Sequence, residues 1–109
     1  MISRDEALSL LQKWHSEDME VACMALMSEV RFVMVGKIDE LAADRISVFS
    51  EDAQSKFSVK LGLDVNFDYA DSYRALSGVA PDERRIEAGV EMTWPSRTDR
   101  VYIFELKQV

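Results

Sequence analysis

Apolar side chains recur at every second position along most of this chain, the period a pleated strand needs to bury one face and wet the other. The plainest case is 56–63, where Phe57, Val59, Leu61 and Leu63 alternate with Ser58, Lys60 and Gly62. Over 45–50, Ile46 and Val48 alternate with Arg45 and Ser47, and over 30–41 Val30, Phe32, Met34 and Ile38 alternate with Arg31, Val33, Val35 and Lys37. Ile86, Ala88, Val90, Met92 and Trp94 form another such row over 86–94. The run VYIFEL puts a last strand at 100–107, apolar on both faces until Glu105, as suits a strand inside a sheet or under a helix. Met19 to Met27 fits two periods, because alanine and methionine favour helix while Met19, Val21, Cys23, Ala25 and Met27 make an unbroken alternate row. The polar break at Ser28-Glu29 decides for a strand over 20–27, hairpinned to 30–41. Read as helix instead, it would cost the sheet a strand.

One segment follows the other period. Ser3-Arg4-Asp5-Glu6 is a capping box, Ile2 and Ala7 stand at the positions of a hydrophobic staple, and Ala7, Leu8, Leu11 and Trp14 share one stripe. A helix over about 4–17 is expected to lie across the sheet or plug one end of it. Gly36, inside the second strand, marks a bulge or bend where a sheet curls. Ala42-Ala43-Asp44 and Glu51-Asp52-Ala53-Gln54 read as short turns between antiparallel neighbours. The stretch 64–85, punctuated by Gly78 and Pro81-Asp82, lacks a period and reads as one long loop, the place to expect function. The expected fold is α+β, a single domain over 1–109 in which one amino-terminal helix packs on a strongly bent antiparallel sheet, or small barrel, of five to six strands.

Composition narrows the partners. With 109 residues, 48% hydrophobic and 30% charged, the chain can enclose one core without metals or disulfides. Its formal charge is −7, from 20 acidic and 13 basic residues, and the bases are dispersed: Asp82 and Glu83 precede Arg84-Arg85, and Asp99 lies between Arg97 and Arg100. Phosphate backbones and anionic membranes are held largely by clustered Lys and Arg, so DNA, RNA and membrane surfaces are disfavoured. Cys23 is the single cysteine, which removes a disulfide framework. The first residues carry acids where a signal peptide carries bases, and no apolar run reaches the roughly 18–20 residues that span a bilayer. A cytoplasmic protein is the resulting expectation.

The chemistry-bearing residues give no catalytic pattern. Asp64-x-Asn66-x-Asp68 opens like a calcium loop, but Tyr69 replaces the turn glycine and Ala75 the closing glutamate, so acids solvating a loop explain it better than a metal. His15 and Cys23 are each the only one of their kind, and Cys23 lies in an apolar row where an inert thiol is the ordinary outcome. Glu87 and Glu91 share the wet side of a strand. Trp14 falls on the helix stripe, whereas Tyr69, Tyr73 and Trp94 stand in the long loop or at a strand end, where an aromatic either roofs the core or anchors a partner.

A helix followed by short bent strands, with Gly36-Lys37-Ile38 and Asp44 downstream, resembles the small SH3-like barrels, and among them the Sm family of RNA-binding ring proteins, over residues 3–63. The resemblance implies a small barrel. The base-reading asparagine of that family is replaced by Ser47, and its second motif has no counterpart, so the fold is implied without the RNA activity. PilZ domains are similar helix-decorated barrels, but their paired arginines and signature are absent. The expected function is therefore a non-enzymatic interaction module without cofactor or metal, binding a protein partner or a second copy. Its contacts would come from Asp64, Asn66, Asp68, Tyr69, Asp71, Tyr73, Arg74 and Trp94. A small-ligand or enzymatic site built on Asp68, Asp71 and Arg74 at the mouth of the barrel is the alternative.

Overall fold

The computed structural model describes residues 1–70 and 86–107. Helix α1 (Arg4–Ser16) is followed by strands β1 (Glu20–Met27), β2 (Val30–Ala42), β3 (Arg45–Ser50), β4 (Ser55–Lys60), β5 (Asn66–Ala70), β6 (Ile86–Thr93) and β7 (Arg100–Leu106). The strands form one antiparallel sheet in the order β4-β3-β2-β1-β7-β6-β5.

The helix starts where its cap predicts. Ser3 accepts a hydrogen bond from the Glu6 amide at 3.1 Å, and the Glu6 carboxylate takes the Ser3 hydroxyl at 3.2 Å instead of reaching the backbone. At the other end Met19 N–H reaches the Trp14 carbonyl and Asp18 N–H that of His15, with Asp18 at φ 53°, a Schellman cap in which aspartate fills the left-handed position usual for glycine. The chain therefore passes from helix to β1 within a few residues, and Glu20–Met27 becomes a strand although its alanines and methionines favour helix.

Opposed residues define the two faces. Toward the helix, Phe67, Met92, Val101, Ala25 and Phe32 form one row across five strands, and Tyr69, Val90, Ile103, Cys23 and Met34 the next. Ala7, Leu11 and Trp14 close over this face and are fully buried. Trp14 satisfies its indole N–H on the Glu105 carboxylate at 3.2 Å, and His15 Nδ1 donates to the Ile38 carbonyl at 2.8 Å. On the outer face Ala22, Met24, Tyr102, Phe104 and Leu106 make a second cluster. β7 lies inside the sheet, which is why its side chains are apolar on both faces.

Three sequence-based expectations are corrected. The sheet has seven strands, not five or six, and it is open, with β4 and β5 as its outer strands, so it is no closed SH3-like barrel. The added strand, β5, lies inside the stretch read as a loop over 64–85; its five residues are too few to show a period, and its pairing with β6 makes it a strand. The amino terminus touches both ends of the open sheet. Ile2 N–H bonds to the Phe67 carbonyl of β5 at 3.0 Å, while the Arg4 guanidinium donates to the carbonyls of Leu61 and Gly62, just past β4, and of Ala43, each at 2.8 Å. The strand expected over 56–63 consequently ends at Lys60, and Leu61 gives its N–H to the Asp44 carbonyl at 2.7 Å.

Gly36 is the bend the sequence announced. A Cβ there would lie 2.3 Å from the Phe49 carbonyl oxygen, so only glycine lets the end of β3 cross this closely over β2. Asp39 then bulges between the pairs Ile38↔Val48 and Glu40↔Ser47.

Candidate functional site

The residues expected to carry function do not converge. Asp64 is exposed in the turn before β5, and Asn66 and Asp68 lie in β5 on the outer face, opposite Thr93 and Glu91. Tyr69 stands on the helix face at the sheet edge and is 61% exposed. Asp71, Tyr73 and Arg74 lie outside the described residues. Trp94 is 6% exposed and belongs to the core, its ring covered by the Arg97 guanidinium at 4.7 Å. Cys23 is buried in the centre of the helix face, and burial pushes its thiol up to about 12, far from a thiolate at neutral pH. His15 is committed to a backbone carbonyl.

A different surface emerges from the length of β2. Its first half, Val30–Lys37, pairs with β1, but β3 pairs only from Lys37 onward. Among the described residues no strand covers Val30–Gly36 on the side away from β1, and Gly36 is the hinge at which the two halves of β2 part company. Side chains along this bare edge are apolar on both faces, with Val30, Phe32 and Met34 toward the helix side and Val33 and Val35 on the other; Arg31 is the exception. Its free end is well exposed: Val30 at 61%, Phe32 at 37%, and Met27 of β1, opposite Val30, at 43%. Phe57 of β4 leans across and stacks on Phe32, ring centroids 5.6 Å apart, so one flank of the edge is aromatic.

The other outer strands are protected. β4 carries exposed Lys56 and Lys60, and β5 is met by the Ile2 bridge. Lysine and covering chain are the usual defences of an outer strand against pairing with another protein, and the described part of β2 has neither over Val30–Gly36.

Where β2 and β3 diverge, a cleft of about 460 Å³ opens beside Val35, Gly36, Phe49 and Ser50. Five carboxylates line it, those of Asp18, Glu20, Asp39, Glu51 and Asp52, against the single ammonium of Lys37. Lys37 donates to Asp18 at 2.9 Å; this bond and the Asp18 charge, with Glu20 and Glu51 adding to them, hold the ammonium above the ordinary lysine range. Lys56 stands 3.4 Å from Asp39. Neither the Glu51 nor the Asp52 carboxylate has an ion pair among the described residues, so the potential at the mouth of the cleft is negative.

The sequence did carry a trace of this surface. A half-buried strand alternates, yet Val33 and Val35 fill the positions of 30–35 that should have been wet, and the pattern turns polar only after Gly36. What it could not show is that β3 leaves β2 there. No protein-family model, curated protein or solved structure matches the chain.

Proposed function

We propose that this chain is a non-enzymatic interaction module that takes up an extended segment of a partner protein along the free edge of β2. The observation that carries the reading is the bare, apolar strand from Val30 to Val35. Strand addition needs open backbone N–H and C=O groups, apolar anchors, and no lysine, proline or bulge in the way, and among the described residues this part of β2 meets each requirement. Val30, Phe32 and the Phe57 ring supply the anchors. A nucleophilic reading on Cys23 has less support, since its thiol is buried and protonated.

Selection from a displayed library of random peptides of about twelve residues tests the reading. The variant V30K/F32K puts two ammonium groups on the edge; Val30→Lys is at an exposed position, and Phe32→Lys gives up the stacking on Phe57, a cost of about 1 kcal/mol that urea unfolding of the variant checks. Selected peptides are expected to bind the wild-type protein and to lose at least about ten-fold in affinity on the variant. Peptides that bind both proteins equally, or a selection that yields none, would remove the proposal.

A further inference from the structure

We infer that the segment added to β2 is basic at the end that meets Gly36, with lysine or arginine side chains entering the acidic cleft and an apolar alternation along Val30–Val35. The inference rests on the edge reading above and supplies the chemistry of the partner. An added strand paired with Val30–Val35 runs directly toward Gly36, where β3 turns away and the cleft begins. Backbone pairing fixes its course, so residues just beyond Val35 arrive at the turn that follows β3, where the cleft opens. Glu51 and Asp52 stand on that turn, and Asp18, Glu20 and Asp39 on the facing side. An acidic segment would be repelled there by the Glu51 and Asp52 carboxylates, which have no ion pair among the described residues; a basic one gains charge-assisted hydrogen bonds that also fix its register. The same charge argues against a second copy as occupant. A chain of formal charge −7 would bring only Arg31 to a cleft already negative, because its own β2 runs from Val30 to Val35 without another base.

The test uses fluorescein-labelled peptides of about ten residues that alternate valine and threonine. One form is uncharged, one has a lysine block at its amino end, one the same block at its carboxyl end, and one a glutamate block. Fluorescence anisotropy should show a lysine form binding at least about ten-fold more tightly than the glutamate form at low salt, with the gap closing as salt is raised. The better of the two lysine forms reports the direction of the added strand. E51Q/D52N should narrow the lysine advantage while leaving the uncharged peptide unaffected, and V30K/F32K should abolish binding of all forms. Equal affinity for lysine and glutamate forms would overturn the basic-segment inference and leave the edge reading intact. Failure of every peptide, the uncharged form included, would overturn both. A wild-type protein that sediments as a dimer, becomes monomeric as V30K/F32K and ignores the peptides would assign the edge to a second copy and overturn the inference as well.

Discussion

Single residues with an unusual physical position carry much of the fold. Gly36 is one, because the atom a Cβ would strike is a backbone oxygen, which cannot rotate away. Gly36→Ala should cost about 3 kcal/mol in urea unfolding, by forcing β3 off β2. Gly62→Ala is the control: there the nearest atom is Asp64 Oδ1 at 2.9 Å, the far end of an exposed side chain, and the expected cost is below about 0.5 kcal/mol. Cys23 is another. Its folded pKa is raised from 9.0 to about 12 by burial, so the folded state holds the thiol proton more tightly than the unfolded chain does. The resulting stability is complete below about pH 9 and is lost as pH climbs toward 12, at up to about 1.4 kcal/mol per pH unit. Tyr102, raised by burial and then by its Glu91 partner, adds to the loss above its ordinary value of 10.0. Urea titrations from pH 8 to 10 should therefore show a decline that Cys23→Ala removes, since Tyr102 contributes little below 10; a Cys23→Ala profile with the same slope would refute the assignment.

Elements show where local preference and tertiary context agree. The helix cap, the helix stripe and the long alternating strands were legible because each is written in neighbours three, four or two positions apart. The Schellman turn after α1 was less so, because aspartate and not glycine holds its left-handed position. Asp18→Gly should relieve that backbone strain and stabilise the protein by about 0.5–1 kcal/mol, the exposed Asp18–Lys37 pair being a small loss. A fall in melting temperature would show that the ion pair outweighs the strain. β5 is not legible for a different reason: five residues with Asn66 and Asp68 among them have no preference strong enough to declare a strand, and β6 supplies the missing hydrogen bonds. The site shows the same division. Tyr69, expected in the long loop, and Trp94, expected at a strand end, are alike in sequence as aromatics that either roof the core or anchor a partner, yet one is 61% exposed and the other 6%. Exposure depends on what packs above a side chain, and no local pattern records it.

For the whole molecule, the decisive arrangement is the filled gap between β4 and β5. Arg4 reaches three carbonyls from two separate loops, and its guanidinium also lies 5.9 Å from the Phe67 ring centre, so one side chain ties helix, turn and outer strand together. Arg4→Ala should destabilise by about 2 kcal/mol, less than the sum of three charged hydrogen bonds because the freed loop carbonyls can rehydrate. Arg4→Lys should recover only part of this, since one ammonium cannot match the planar fork. Equal stability of Arg4→Ala and wild type in urea would mean that the gap is held by apolar packing of Ile2 and α1 alone. In the same sheet β2 is longer than its neighbour β3, and among the described residues this leaves uncovered the edge on which the proposed function stands.

The sequence by itself determined that α1 is a helix and that the long alternating segments are strands, and which side of each faces oil, because those follow from side-chain period and from caps and turns a few residues long. The tertiary structure alone decided that the sheet stays open, that β5 joins it, and that β2 outruns β3 at Gly36. Those outcomes depend on contacts between residues far apart in the chain, such as Arg4 with Leu61 and Gly36 with Phe49, whose geometry no single stretch of residues contains.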